Sequence, residues 1–269
     1  LQLSRDLGFE TVDVDHYIGY ARYGKSDDYV CACGHLDVVP VGEGWKHPPF
    51  SAYEEDGVIY SRGILDNKGP ILSCLYALTA LKRLGIKPER EVRIIFGCDE
   101  ESGFEDLKYY LDHEKAPIAG FTPDYKNDEF GQLEIRNYHL TKEDFSFSIS
   151  YPAGLTLEEI LDKLNRIEGY EYEVVSHFKP VYFDKKAPMV EIMKETYEYV
   201  TGNDGTPVTT TGGTYAKMMP HIVPFGPSFP GQKGIGHNPN EWMTREDLIT
   251  NAKIYALTLY QLSRKDTEL

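Results

Sequence analysis

Short apolar segments of strand type, each running into chemically active side chains, constrain the fold of this chain most. Tyr29–Cys33 leads into Gly-His-Leu-Asp, and Glu91–Phe96 leads into Gly-Cys-Asp-Glu-Glu. Between them, Lys68–Leu84 is a strongly apolar helical segment that ends at Gly85, as helices commonly do. This alternation of strands and helices predicts an α/β layered sheet.

Polar residues follow these strands or lie in tight turns between them. They are His35, Asp37, Asp66, Glu100, Glu101, Asp124 and His237. In open α/β sheets, sites form outside the carboxyl ends of the strands, so these loops are expected to converge. Two histidines with several carboxylates suit a pair of Zn²⁺ or similar borderline ions, whereas an all-oxygen set would favour Mg²⁺ or Ca²⁺. Each residue alone fits a simple loop or surface role, so the prediction rests on their combination.

The composition excludes several classes of partner. Asp and Glu number 43 against 28 Lys and Arg, which gives a formal charge of −15. Nucleic acid and anionic lipid both attract basic surfaces, so neither is an expected partner. No apolar run approaches the ~20 residues that span a bilayer. The four cysteines (Cys31, Cys33, Cys74 and Cys98) form no CxxC pair and are interpreted as buried thiols of a cytoplasmic protein.

Two further regions have strand or mixed character. Thr11–Tyr23 alternates as a hairpin, with its turn expected near Gly24. From Glu129 to Tyr182 the pattern predicts a small α+β module within the larger domain. Its expected elements are strands over Gln132–Tyr138, Phe145–Tyr151 and Tyr170–Val175, and a helix over Leu155–Ile167 with a Thr156–Glu159 capping box.

Several motifs resemble those of a known enzyme family. GHLDVVPVGEGW, SRGILDNKGP, FGCDEESG and GFTPD are similar to the successive motifs of the dizinc metallopeptidases that include aminoacylases, carboxypeptidases and PepV-type dipeptidases. GGTYA, FGPSFPG and GHNPNEW extend the resemblance, which is strongest to the PepV-type dipeptidases. Together these motifs span nearly the whole chain. The resemblance implies a three-layer α/β catalytic domain with an inserted lid.

The resemblance also implies a role for each polar residue. His35 and Asp124 would bind one zinc ion, Glu101 and His237 would bind the other, and Asp66 would bridge the two. Glu100 would be the general base, and Asp37 would orient His35. Mn²⁺ or Co²⁺ are alternatives to the two Zn²⁺ ions. The remaining implied contacts are with substrate, through the loop residues Gly212, Gly213 and Thr214.

The chain departs from the family in its lid. We expect residues 1–124 and 184–269 to form the catalytic domain and 125–183 to be an incomplete α+β lid that lacks its first half. Because the sequence starts at Leu1 and passes quickly from the GFTPD motif into the lid, a chain break is expected between Asp124 and Glu129. The family's substrate-gripping Arg is replaced by Ser150, and Lys217 is a possible substitute cation.

The leading functional hypothesis is a metal-dependent dipeptidase that acts on small peptides. One alternative is a deacylase of N-acyl amino acids that uses the same metals and base; Glu in place of Asp124 would have favoured it. Another is a non-catalytic metal- or ligand-binding relative, although a binding protein has no need of Glu100. With a full lid, a monomer would be expected; without one, the oligomeric state is open.

Overall fold

The chain divides into two compact units in the computed structural model, which describes residues 1–124, 134–141, 144–208, 213–232 and 234–269. The first unit contains residues 1–124, Phe183–Pro207 and Thr214–Leu269. The second contains the described residues between these segments. The chain break predicted between Asp124 and Glu129 lies outside the described residues.

The first unit alternates strands and helices along the sequence. Its helices are α1 (Gln2–Asp6), α2 (Lys68–Arg83), α3 (Glu105–His113), α5 (Pro188–Thr201) and α6 (Arg245–Ser263), with a 3₁₀ turn at Tyr215–Lys217. Its strands are β1 (Glu10–Val14), β2 (Ile18–Tyr23), β3 (Tyr29–His35), β4 (Tyr53–Glu55), β5 (Val58–Tyr60), β6 (Glu91–Gly97), β7 (Ala119–Thr122), β10 (Ile222–Pro224) and β11 (Trp242–Thr244). The second unit supplies the remaining elements, β8 (Glu134–Leu140), β9 (Phe145–Ser150) and α4 (Leu157–Leu164).

A six-stranded sheet in the order β1-β2-β6-β3-β7-β10 forms the centre of the first unit. Successive residues of β3 point to opposite faces. Val30 and Ala32 join the main apolar core with residues of α2 and α6, whereas the hydroxyl of Tyr29 lies 3.1 Å from that of Tyr110 in α3. Helices therefore cover both faces, and the predicted three-layer α/β fold is confirmed.

The parallel part of this sheet fixes where the loops meet. Strand β3 pairs in parallel with β6 on one side and with β7 on the other, and β7 pairs in parallel with β10. His35 at the end of β3 lies opposite Gly97 at the end of β6. The loops that follow β3, β6 and β7 therefore leave the sheet at the same edge.

The predicted hairpin exists, but its turn is not near Gly24. Strands β1 and β2 pair from Glu10–Arg22 to Val14–Ile18, so the chain reverses at Asp15–Tyr17. The N–H of Tyr17 donates to the carbonyl oxygen of Val14 at 3.1 Å, and the two central residues of this turn, Asp15 and His16, have left-handed φ of 49° and 66°. Asp and His adopt this region more readily than most residues other than Gly, which is why no glycine marks the turn.

The prediction of buried thiols is right for three of the four cysteines. Cys31, Cys33 and Cys74 are buried and unbonded to one another. Cys98 is exposed, because it lies in the loop beyond the end of β6 rather than in the sheet. Among the described residues, no helix is long and apolar enough to cross a membrane.

The second unit contains fewer elements than predicted. Strands β8 and β9 form an antiparallel pair, and α4 begins after Thr156, whose hydroxyl and Glu159 form the predicted capping box. The strand predicted at Tyr170–Val175 is wrong: the segment has no ladder partner among the described residues, and Val175 is 90% exposed. Its alternating apolar pattern suits a strand only where a neighbouring strand and a packed face are available.

Candidate metal centre

His35 is the last residue of β3, and its position depends on the glycine before it. A Cβ atom on Gly34 would lie 2.3 Å from Oδ1 of Asn67 and 3.0 Å from Cβ of Ile71, closer than ordinary contacts. The same Asn67 oxygen accepts a hydrogen bond from the backbone N–H of His35 at 3.2 Å. Gly34 therefore lets the turn after Asp66 close against the end of the strand.

The imidazole of His35 is surrounded by carboxylates. Its Nε2 lies 3.0 Å from Oδ1 of Asp66 and 3.9 Å from Oδ1 of Asp124. Its Nδ1 lies 3.0 Å from the carbonyl oxygen of Asp37 and 3.3 Å from Oδ1 of the same residue. Burial opposes the charged form, but attraction to the three carboxylates, that of Asp124 first, raises the pKa of His35 well above its ordinary value. The ring thus binds a proton firmly where no cation replaces it.

His237 approaches the same carboxylate from a loop. Its Nε2 lies 3.0 Å from Oδ2 of Asp66 and 3.1 Å from Oε1 of Glu101. The residue has φ of 62°, and its side chain is 48% exposed. Hydrogen bonds to Asp66 and Glu101 raise the pKa of His237 to about 10. Carboxylates therefore surround the imidazole of His237, as they surround that of His35.

Asp66 presents one carboxylate oxygen to each histidine. Oδ1 faces His35 and Oδ2 faces His237, both at 3.0 Å, and the side chain is only 2% exposed. The two imidazoles come from segments that are distant in the sequence, and this side chain contacts both of them. A carboxylate placed in this way has the geometry of a bridging ligand between two cations.

Two groups of donors at this site are close enough to hold a metal ion. One comprises His35, Glu100 and Asp124, and the other His35, Asp66 and Glu101; within each, the donor atoms lie within 4.8 Å of one another. Donors at that separation can share a cation with bonds of about 2.0–2.2 Å, and their nitrogen and oxygen chemistry suits zinc-like ions. Both groups use His35, so a second ion would need His237, whose Nε2 lies 3.0 Å from Asp66 and 3.1 Å from Glu101. With His237 included, the residues fit a metal pair. Glu100, predicted as a base, also lies within ligand distance.

Asp37 connects the loop after β3 to the loop after β6. Its Oδ2 accepts a hydrogen bond from the backbone N–H of Glu101 at 3.0 Å, while its other oxygen lies beside the ring of His35. Burial alone would raise the pKa of Asp37, but the hydrogen bonds with His35 and with this backbone N–H lower it. An ionised Asp37 is therefore placed to fix both residues.

Tyr215 and Asp106 support the same loop, and the sequence did not single out either. The ring of Tyr215 lies edge-on to that of His35 at 6.3 Å, and its hydroxyl donates to Oδ2 of Asp106 at 2.6 Å. That oxygen also accepts the backbone N–H of Cys98 at 2.6 Å and of Asp99 at 3.2 Å. Burial raises the pKa of Asp106, and the hydrogen bonds from the Tyr215 hydroxyl and the Cys98 N–H partly offset the effect. Tyr215 lies in the GGTYA motif, and Asp106 lies three residues after FGCDEESG. A single sequence does not show that these two segments meet.

The predicted substrate residues lie in different parts of the structure. Thr214 is buried in the first unit, where its hydroxyl accepts the backbone N–H of Ala216 at 3.0 Å and caps the following turn. Gly213 and Ser150 belong to the second unit, and Gly212 lies outside the described residues. Their contacts with substrate stay predictions, as does the role of Lys217.

The sequence model of Peptidase family M20/M25/M40 matches residues 31–261. That span includes the ends of β3, β6 and β7 and the loop of His237, and thus every candidate ligand described above. The chain belongs to this peptidase family. The predicted resemblance is therefore confirmed, and the site lies in a peptidase.

This M20-family peptidase is similar in sequence to proteins named as dipeptidases. It is 24% identical to Beta-Ala-Xaa dipeptidase of Lactobacillus delbrueckii subsp. lactis over 421 residues, which cover 100% of this chain and 89% of that protein. Because this chain has 269 residues, the alignment contains many positions of the relative that have no counterpart here.

Solved structures share the fold. A peptidase from Bacillus subtilis, YXEP, described as binding a dinuclear metal, superposes with a TM-score of 0.72 at 14% identity, covering 98% of this chain and 90% of its own. Human carnosine dipeptidase 1 gives a TM-score of 0.67 at 16% identity, with 97% and 88% covered. At these identities the similarity extends to the fold, while the site rests on this chain's own residues.

Proposed function

We propose that this M20-family peptidase hydrolyses the peptide bond of dipeptides or short peptides, using two divalent cations. The observation that carries the proposal is the placement of Asp66, which offers one oxygen to His35 and the other to His237 at 3.0 Å each. The name of the Beta-Ala-Xaa dipeptidase relative supports dipeptides as the substrate class.

The ligand set favours two Zn²⁺ ions, with Mn²⁺ or Co²⁺ as alternatives. We assign His35 and Asp124 to one ion, Glu101 and His237 to the other, and Asp66 to both. Such a pair would lower the pKa of a water between them and polarise the scissile carbonyl. Each histidine must be neutral to serve as a ligand. The nearby carboxylates stabilise the protonated form of both rings, so cation binding would release those protons.

Glu100 is proposed as the general base. It is 8% exposed and lies beside His35 and Asp124. From there a carboxylate oxygen can accept the proton of the attacking water and deliver it to the amine nitrogen as the C–N bond breaks. Its low exposure keeps bulk water from competing for that proton. Asp37 would hold the orientation of His35 during the reaction.

The other parts of the chain are proposed to support this activity. Asp at position 124, where Glu would suit the deacylases, favours peptidase action. We assign the first unit to catalysis and the second to the remnant of a lid. The three buried thiols, Cys31, Cys33 and Cys74, are free and fit a reducing compartment such as the cytoplasm.

The decisive experiment combines metal analysis with the Glu100→Gln variant. We expect two bound ions per chain in both proteins and a fall in kcat of about 10²- to 10⁴-fold in the variant, because only the proton carrier is lost. Glu105→Gln is the control, since Glu105 is exposed on α3 and its carboxylate pairs with exposed Lys108 at 3.5 Å.

The outcomes separate the alternatives. Full activity of Glu100→Gln would refute the base assignment, and loss of one ion would make Glu100 a ligand. A substrate screen should include β-Ala-Xaa and α-dipeptides together with N-acyl amino acids. Hydrolysis of N-acyl amino acids alone would identify a deacylase, and no hydrolysis with metal bound would identify a binding protein.

A further inference from the structure

The loop that carries Asp66 is wrapped around a single buried carboxylate from another part of the chain. Oε1 of Glu241 accepts the backbone N–H groups of Leu65 at 2.9 Å, Asp66 at 3.0 Å and Gly63 at 3.1 Å. Glu241 is 0% exposed. The main chain of the candidate bridging ligand is therefore hydrogen-bonded directly to a side chain that does not itself belong to the ligand set.

Arg62 neutralises this carboxylate and connects it to a third segment. Its Nη1 lies 2.8 Å from Oε2 of Glu241, with both side chains almost fully buried. Its second nitrogen, Nη2, donates to the carbonyl oxygens of Val41 at 3.2 Å and Pro40 at 3.4 Å, and the guanidinium lies over the ring of Trp45. The ion pair thus joins the loop of Asp66 to the loop after β3.

Glu241 also follows His237 by four residues in the same loop. Nη1 of Arg62 donates to the carbonyl oxygen of Asn238 at 3.3 Å, which anchors the residue next to that histidine. Asp66 and His237 face each other at 3.0 Å. The buried pair consequently holds the backbone of both loops, that of Asp66 and that of His237, whose side chains must meet at the metal.

A buried ion pair is a poor device for stability alone. Removing two charges from water is so costly that well-packed apolar residues commonly stabilise a core as well or better. A carboxylate can, however, do what an apolar side chain cannot, which is to gather several backbone N–H groups at one point. The three N–H bonds to Glu241, one of them from Asp66 itself, are of this kind.

We propose that Glu241, held by Arg62, is a positioning residue that sets the backbone of Asp66 against the loop of His237 before metal binds. The inference rests on the proposed dinuclear site. It concerns preorganisation of that site rather than its chemistry, because Glu241 is in neither group of candidate ligands and acts through the two ligand loops.

The test compares Glu241→Gln with the wild type and with a matched control. Glu54→Gln breaks an exposed two-point pair with Arg245, in which the atoms are 3.1 and 2.5 Å apart. Zinc affinity is measured by competition with a chelator on proteins whose fold is checked by circular dichroism. We expect Glu241→Gln to bind zinc about 10- to 100-fold more weakly, as for other residues that orient ligands. Excess zinc should restore most of kcat with KM little changed, and Glu54→Gln should match the wild type.

Wild-type zinc affinity in a folded Glu241→Gln protein would overturn the inference, even if that protein were less stable. So would a loss of kcat that excess zinc does not restore. These results would leave the proposed function intact, provided that the wild type binds two ions and cleaves dipeptides. If the wild type binds two ions but cleaves no dipeptide, the proposed function fails while the affinity comparison still decides the role of Glu241.

Hydrogen exchange of the metal-free wild type gives a second test that does not depend on a variant. We expect the amides of Gly63, Leu65 and Asp66 to be protected as strongly as those of the central strands, because their hydrogen bonds to Glu241 exist before metal binds. Exchange as fast as in exposed loops, followed by protection only on adding zinc, would show that the metal and not Glu241 orders this loop.

Discussion

The two histidines of the candidate metal centre are held in contrasting ways. His35 ends a central strand that is paired on both sides, and its side chain is 1% exposed. His237 lies in a loop with a left-handed backbone, and its side chain is 48% exposed. Both nevertheless lie 3.0 Å from an oxygen of Asp66. One side of the site is therefore fixed by the sheet, while the other depends on side-chain contacts made by a loop.

The difference in exposure changes what each histidine contributes. Charges that are shielded from water interact more strongly, and salt screens them less, than charges at the surface. His35 faces the buried carboxylates of Asp66 and Asp124, whereas His237 is partly solvated. We therefore expect His35 to matter for both folding and metal binding, and His237 mainly for metal binding.

The largest expected effect is on the free energy of unfolding. In the metal-free protein, His35→Ala should reduce it by about 3–5 kcal/mol, because the variant loses the buried cation that faces two buried carboxylates. His237→Ala should reduce it by clearly less, since its side chain is 48% exposed and solvent screens its pairing with Asp66 and Glu101. Urea unfolding followed by circular dichroism measures both.

Both variants should also bind zinc more weakly than the wild type. Equal losses of stability would refute the contrast between a sheet-held and a loop-held ligand. If His35→Ala does not fold, His35→Gln at low urea keeps the comparison measurable, because its amide can still donate to one carboxylate.

A smaller effect is expected from Tyr215→Phe, which acts on the sheet-held side. The change removes the 2.6 Å hydrogen bond to buried Asp106, which in turn holds the backbone N–H groups of Cys98 and Asp99. Loss of one donor to a buried carboxylate should cost about 1–3 kcal/mol of stability. It should also lower kcat, because the loop that carries Glu100 is less firmly held.

Tyr109→Phe is the matched control for that variant. It removes the same hydroxyl from an exposed hydrogen bond with Asp15 at 2.8 Å. Stability and kcat should stay close to those of the wild type, and zinc content should be unchanged in both variants. A kcat of Tyr215→Phe equal to that of the control would mean that Asp106 holds the loop without help from the tyrosine.

The contrast between residues held by the sheet and residues held by a loop also explains how much of this site the sequence could predict. The candidate site residues after β3, β6 and β7 could be predicted, because apolar strand patterns ending in polar residues place those residues at one edge of a parallel sheet. His35, Glu100, Glu101 and Asp124 belong to this class. The order of the strands in the sheet, with β6 between β2 and β3, could not be predicted, since no local sequence pattern shows which distant segments pair.

The supporting residues were missed for a related reason. Arg62 and Glu241 lie within recognised motifs, yet a lone Arg and a lone Glu give no sign that they will meet in the core. The hairpin turn was misplaced because Asp15 and His16 supply the left-handed backbone that a glycine usually marks. The strand expected at Tyr170–Val175 failed because its pattern says nothing about whether a partner strand is present.

The smallest expected effect is a difference of about one proton, and it tests the loop-held histidine alone. In the metal-free protein the pKa of His237 is raised to about 10, from an ordinary value of 6.5, by Asp66 and Glu101. The stability that this pairing adds is fully present below pH 6.5 and is lost as the pH rises through about 10. A ligating imidazole must be neutral, so zinc binding near pH 7 has to displace the proton from this ring.

The pKa of His35 is also raised, so the wild type should release about two protons from its histidines on zinc binding, and His237→Ala about one. Calorimetry in two buffers of different ionisation enthalpy counts these protons directly. The zinc affinity of the wild type should accordingly rise more steeply with pH than that of His237→Ala up to about pH 10. Equal proton release by the two proteins would show that His237 is neutral before zinc arrives, and hence that the carboxylates around the loop do not hold its charge.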